Sequence, residues 1–201
     1  MKRIVSILLL VVALCACKNQ AGPNGVKDSL LSKEDSLKNE PFYPIAQYIF
    51  DQVKYVDSTP LAIAKITFIN GKQVDSVTID RGEFKTLAKE FFEPDLNQKD
   101  LKPKYTESSF EDLTINSLTF SYTTLDKELE LQQADVLLRP DNHQVKNVMF
   151  RKSRIVGDTS ISINGLWKHN MNFQLNYSLQ PPSGKSISKQ IKVIWDRPMV
   201  W

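Results

Sequence analysis

Apolar residues recur at helical spacing in two stretches, residues 42–56 and residues 84–92. In the second stretch they stand at i, i+3, i+4, i+7 and i+8, which is typical of a helix with one buried face: Phe84, Leu87, Ala88, Phe91 and Phe92. Asp80 and Glu83 have the spacing of a capping box, which places the start of this helix just after Asp80. The pattern therefore predicts two amphipathic helices.

Alternation of apolar and polar residues predicts strands before and after the second helix. Residues 61–69 and 73–79 form a predicted hairpin, because Asn70-Gly71 suits a turn that needs positive φ at both central positions. From Leu113 to Trp195, alternating runs follow one another between short turn sequences. A change of phase near Gln132-Gln133 predicts a β-bulge.

We therefore predict an α+β fold built on a curved antiparallel sheet. About six C-terminal strands form a meander, the N-terminal hairpin joins them, and one or both helices cover one face. The charged stretch from residue 95 to residue 107 is predicted to be a loop. The polar positions of the strands leave the other face wet, or lining a polar groove.

The first residues follow a different pattern. Lys2 and Arg3 precede an almost uninterrupted apolar run that ends at Ala13, which is typical of a secretory signal. A membrane-spanning helix needs about 20 apolar residues, and this run is shorter. The residues that follow it are Leu14, Cys15, Ala16 and Cys17.

Residues 1–17 resemble the leader and lipobox of a bacterial lipoprotein, with Leu14 at −3, Ala16 at −1 and Cys17 at +1. The resemblance implies cleavage between Ala16 and Cys17 and a diacylglycerol thioether on Cys17, so that the lipid bilayer is a partner through the acylated cysteine. Lys18 stands where an aspartate would favour inner-membrane retention. The resemblance therefore implies the outer membrane, on its periplasmic face, with the cell surface as the alternative.

Three segments follow from these patterns. Residues 1–16 are the predicted signal peptide, residues 17–40 the lipidated N-terminus and a flexible polar tether, and residues 41–201 a single α+β domain.

Composition excludes several classes of site. The chain has 2 cysteines, both at the processing site, so the mature fold has neither a disulfide nor thiol chemistry. The formal net charge of +3 includes the leader, and no basic cluster indicates nucleic acid. His143 and His169 both fall at predicted turns without metal-ligand spacing, and no cofactor motif occurs. We therefore expect no metal, no cofactor and no enzyme, but a binding or assembly module, with an envelope protein as a further partner.

Two other functions stay open. The first is a carrier of lipid or acyl chains, with an apolar cavity between the second helix and the sheet lined by Phe84, Leu87 and Phe91. In outline such a fold is similar to the lipoprotein carriers of the Lol system, but a helix face packed on a sheet explains the same stripe. The second is an envelope glycan hydrolase, which needs two carboxylates to meet in a cleft. Its candidates are Asp112, Glu128, Glu130 and Asp135.

Two further groups have a functional and a structural interpretation each. The first group is the basic segment of a predicted strand over residues 146–154, with Lys146, Arg151, Lys152 and Arg154. Either this segment contacts an anionic lipid or polymer, or it protects a sheet edge from association. The aromatic residues Trp167, Tyr177 and Trp195 form a platform for stacking sugars, or they pack in the core, with which they are in phase.

Overall fold

The structure, a computed structural model, describes residues 41–195. The predicted signal peptide and tether, with Ala16 and Cys17, lie outside the described residues, as do residues 196–201. Two helices are present, α1 (Ile45–Ser58) and α2 (Arg81–Ala88). The strands are β1 (Ala64–Ile69), β2 (Lys72–Thr78), β3 (Thr106–Asp112), β4 (Ser117–Thr123), β5 (Leu131–Leu138), β6 (Val145–Val156), β7 (Thr159–Lys168), β8 (Asn172–Gln180) and β9 (Ile187–Ile194).

One antiparallel sheet contains all 9 strands of the described chain, in the order β2-β1-β9-β8-β7-β6-β5-β4-β3. Strands β3 to β9 form a continuous meander, and the β1–β2 hairpin joins it through antiparallel pairing of β1 with β9. The chain between β2 and β3 crosses from one edge of the sheet to the other. This crossing segment contains α2, so the topology itself places a helix across the sheet.

The α+β class is confirmed, but the sheet is larger than the predicted meander of about six strands plus a hairpin. One strand that the alternation did not indicate is β3, which begins inside the stretch predicted to be a loop. Six of its seven residues are exposed and the last is intermediate, because β3 is an edge strand. An edge strand of this kind has no buried face, so it lacks the alternation on which sequence prediction depends.

The predictions made from local sequence signals were more accurate than the predicted number of strands. Asn70 and Gly71 have φ of 48° and 77°, as the hairpin turn requires. The register of β5 against β6 shifts between Leu131 and Gln133, which confirms the bulge. Asp80 caps α2, since its side chain accepts a hydrogen bond of 2.8 Å from the backbone N–H of Glu83.

Helix α2 is shorter than the predicted helix over residues 84–92. It ends at Ala88 and continues as a 3₁₀ turn, Lys89–Phe91. The tighter turn still brings Phe91 onto the sheet, where its ring centroid lies 4.9 Å from that of Phe150. The reciprocal half of the capping box is absent, because the Glu83 side chain pairs with Lys65 of β1 instead.

Both helices pack on the same face of the sheet. The centre of the core is an aromatic cluster whose members are all less than 6% exposed: Phe84, Phe91, Trp167, Phe173 and Trp195. The centroids of neighbouring rings lie 5.0–6.3 Å apart, within the range of favourable aromatic pairs. Within residues 41–195, no helix has the length and apolar character that crossing a membrane requires.

Candidate functional site

The space between α2 and the sheet is filled. Phe84 and Phe91 are 1% and 5% exposed, and Leu87 is partly buried against the same core. The cavity that Phe91 lines beside the 3₁₀ turn has a volume of about 20 Å³. That is room for about one water molecule, whereas ligand sites occupy about 300 Å³ or more. The three side chains predicted to line a cavity therefore act as core residues in this conformation.

The basic segment does not protect an edge, because β6 lies inside the sheet between β5 and β7. Its side chains divide between the two faces. Lys152 is 3% exposed on the helix side, where its ammonium donates to a Glu90 carboxylate oxygen at 3.0 Å and to the backbone oxygen of Glu93 at 2.6 Å. Arg154 bridges Glu90 and Glu130 at 3.3 and 3.1 Å. These ion pairs fix the segment after α2 to the sheet.

The core interpretation is confirmed for two of the three aromatic residues considered as a sugar platform. Trp167 and Trp195 are 0% and 1% exposed. Tyr177 is half-buried on the same face, and the ammonium of Lys189 lies 6.0 Å from its ring centroid. Burial, together with the charge of Glu90, raises the pKa of the Tyr177 hydroxyl to about 12.

Three of the four carboxylates proposed for hydrolysis have separate partners. Asp112 accepts from Thr114, Glu130 pairs with Arg154, and Asp135 accepts from Ser121. Asp112 lies opposite Ser117 in the register, and Asp135 lies opposite Ser121. Four residues along a strand and two strand spacings separate them by about 16 Å.

That separation exceeds the roughly 5–10 Å between the carboxyl groups of glycosidases. Glu128 is exposed in the connection between β4 and β5, and Glu130 contacts Arg154 on the helix side of the sheet. The described residues also contain no group of three or more His, Cys, Asp or Glu that would hold a metal ion.

The contacts of His169 and its neighbour Asn170 hold two elements of the fold together. Its Nδ1 lies 2.8 Å from the hydroxyl of Tyr48 in α1, and the backbone N–H of Asn170 donates to the side chain of Gln52 at 3.1 Å. These contacts fix α1 to the β7–β8 turn. Burial, and secondarily the charge of Arg139, lowers the pKa of the His169 imidazole.

The sheet surface opposite the helices, here called the polar face, is organised in rows that cross the strands. In the amide row each residue is the direct cross-strand partner of the next, from β5 to β9: Gln133, Arg151, Asn164, Asn176 and Gln190. Two residues away along the strands is the serine row, from β6 to β9: Ser153, Ser162, Ser178 and Ser188. Hydroxyl and amide groups are therefore presented side by side on neighbouring strands.

Hydrogen bonds hold part of the amide row in place. The Gln190 amide donates to the Asn176 side-chain oxygen at 2.7 Å, and the Gln133 amide donates to both carboxylate oxygens of Asp135 at 3.0 and 3.1 Å. Ser121 donates a further hydrogen bond to Asp135. These contacts orient the side chains without using all of their donors and acceptors.

A depression of about 320 Å³ lies in the middle of the amide row. Its polar lining is Gln133, Asp135, Arg151, Asn164 and Asn176. The side chains of Met149 and Leu166, which face each other in the adjacent row, add apolar surface. The volume falls within the range of small-molecule sites.

Arg151 is the group in the depression that is most available to bind a ligand. It is exposed, and within residues 41–195 its guanidinium has neither a hydrogen-bond partner nor an ion pair. The neighbouring arginine on the same strand, Arg154, has two carboxylate partners instead. Arg151 therefore retains all five of its N–H donors.

The comparisons give no relative for this site. The chain matches no protein-family model, no curated protein and no solved structure at a significant level.

Proposed function

We propose that this chain is a membrane-anchored envelope lipoprotein whose β-sheet domain is a non-enzymatic binding module and binds its ligand on the polar face. The observation that supports binding there is the unpaired Arg151, within a depression of about 320 Å³ that amide side chains line. Convergent polar groups around a partly apolar depression are typical of ligand sites.

The chemistry of the depression favours binding over hydrolysis. Asp135 is the one carboxylate among the residues that line it, and Ser121 and Gln133 already donate to that group. Glycoside hydrolysis uses two carboxylates on opposite sides of the bond to be cleaved. Asp135 alone provides a hydrogen-bond acceptor, not an acid–base pair.

Transport of acyl chains has less support, because it requires space that the core does not have in this conformation. Phe84 contacts the rings of Trp167, Phe173 and Trp195, with centroids 5.4–6.3 Å apart. Admission of an acyl chain would have to separate α2 from the sheet and disrupt the capping and ion-pair contacts around it.

The anchor in this proposal is Cys17, outside the described residues. Two or more acyl chains on one residue hold a protein stably at a bilayer, whereas one chain binds weakly. The lipobox resemblance and Lys18 support the outer membrane, with the periplasmic leaflet favoured over the cell surface.

Replacement of the lipidated cysteine tests the anchor. Cys17→Ala should move the protein from the membrane fraction to the soluble fraction, because the thioether cannot form. Cys15→Ala is the matched control, since Cys15 is at −2 of the proposed cleavage site and should leave fractionation unchanged. Membrane association of the Cys17→Ala protein equal to that of the unaltered chain would contradict the proposal.

A further inference from the structure

We infer that the polar face binds an acidic glycan, meaning a carbohydrate chain that carries carboxylate groups. This inference rests on the proposal that the domain is a binding module, but not on the lipid anchor. It identifies the chemical class of the ligand from the arrangement of charges, amides and hydroxyls on this face.

Three cations on the polar face have no partner within residues 41–195: Arg151, Lys168 and Lys192. Arg151 lies in the amide row on β6, and Lys192 lies on β9, two residues from Gln190 of the same row. Lys168 lies on β7, two rows from the amide row, and the strands between Arg151 and Lys192 place Asn164 and Asn176 between these two cations. The carboxylate of Asp135, by contrast, accepts hydrogen bonds from Ser121 and Gln133. The face is therefore complementary to negative charge.

The separation of the cations indicates an extended ligand. Arg151 and Lys192 are three strands apart and offset by one row, which corresponds to about 16 Å between their Cα atoms on an ideal sheet. Strand side chains stand roughly perpendicular to the sheet, so a single small anion does not bridge the two charges. A chain with carboxylates at intervals can do so while it crosses β6 to β9.

The groups between the cations are suited to hydrogen bonding with the hydroxyls of a sugar. Asn164 and Asn176 each carry both a donor and an acceptor, and the serine row adds hydroxyls that donate and accept. At the end of the amide row, Phe68 of β1 faces Gln190 and is partly exposed, which provides apolar surface for the C–H face of a sugar ring.

Other ligand classes fit this face less well. Nucleic acids bind through many phosphate contacts from lysine and arginine, whereas the polar face from β5 to β9 has three such side chains, on three different strands. Protein interfaces are centred on well-packed aromatic and arginine anchors, whereas the centre of the amide row consists of asparagines.

A binding comparison with two forms of one polymer tests the inference. The full chain, purified in detergent, is titrated with polygalacturonate and with its fully methyl-esterified form, which has the same backbone without the charges. Binding to polygalacturonate should be tighter, and it should weaken as NaCl is raised, because salt screens exposed charges. Arg151→Gln and Lys192→Gln should each weaken it about tenfold, the scale of one charge-assisted hydrogen bond.

Arg139→Gln is the matched control, because Arg139 is an exposed arginine on the β5–β6 connection, away from the polar face. Arg139→Gln should bind as the unaltered chain does, and all variants should keep the melting temperature of the unaltered chain. Asn164→Ala combined with Asn176→Ala should weaken binding of both polymer forms, because these amides contact hydroxyls rather than carboxylates.

Three results would overturn the inference. Equal affinity for the charged and esterified polymers, or unchanged affinity in the Arg151→Gln/Lys192→Gln protein, would remove the role of the cations. Absence of binding to either polymer would contradict binding of an acidic glycan. None of these results bears on the anchor, which the fractionation of Cys17→Ala reports independently.

Discussion

At the scale of single residues, the close approach of Phe150 to Gly165 limits what the sheet tolerates. The two residues are direct partners on β6 and β7, and the Phe150 ring lies over the glycine. A Cβ added at Gly165 would lie 2.1 Å from a ring carbon of Phe150. The glycine is needed for this close approach, not for a positive φ.

Gly165→Ala should therefore destabilise the protein by about 1–3 kcal/mol, the usual cost of overpacking a core. Urea unfolding measures it directly. Gly82→Ala, in the first turn of α2, is the comparison: its Cβ would lie 3.1 Å from the capping Asp80 oxygen, which must shift slightly, while alanine favours a helix over glycine by about 1 kcal/mol. Its loss of stability should therefore be smaller than that of Gly165→Ala. A Gly165→Ala protein as stable as the unaltered chain would contradict the packing described.

The second residue-scale prediction concerns pH. The pKa of His169 is lower in the folded protein than in the unfolded chain, so folding releases protons from this residue. Its contribution to stability is complete above the unfolded pKa of about 6.5 and is lost as the pH falls through the lower, folded value.

The free energy of unfolding should thus decrease between pH 7.5 and pH 5, and His169→Gln should show a smaller decrease. His143→Gln, at an exposed turn, should retain the decrease of the unaltered chain. Urea titrations at several pH values measure both. Identical pH dependence of the two variants would assign the effect to other groups.

At the scale of elements, ion pairs attach the end of α2 to β6. Lys152 is nearly buried, and its partner Glu90 follows α2 within the 3₁₀ turn. Lys152→Met should cost about 3 kcal/mol, because it removes one partner of a buried pair and leaves Glu90 with Arg154 alone.

A double-mutant cycle with Glu90→Gln separates this pair from general packing. The double variant should lose less stability than the sum of the two single variants, because neither charge is then left without the other. Strictly additive losses in urea unfolding would show that Lys152 and Glu90 do not interact.

Elements with strong local signals could be predicted from the sequence, and those without them could not. The Asn70-Gly71 turn and the Asp80 cap depend on neighbouring residues alone, and both are present. Strand β3 has no apolar alternation because it lies at an edge, and its pairing with β4 is a tertiary property. Lys152 was interpreted as a surface cation because the residues that it pairs with, Glu90 and Glu93, are distant in sequence.

The candidate site belongs to the scale of the whole molecule. The alternation of Asn172 to Gln180 predicts a polar face, but not which polar residues are neighbours across strands. The amide row exists because four registers coincide, including the one between β5 and β6 that the bulge between Leu131 and Gln133 resets. Registers of this kind follow from packing, so the position of Arg151 beside Asn164 required the structure.

At the same scale, we propose that a lipid at Cys17 holds the sheet domain at the envelope. The most direct measurement is the mass spectrum of the N-terminal peptide of the chain isolated from cell membranes. We predict a peptide that begins at Cys17 and carries a diacylglycerol mass. A peptide that begins elsewhere, or an unmodified cysteine in a membrane-isolated chain, would contradict the claim.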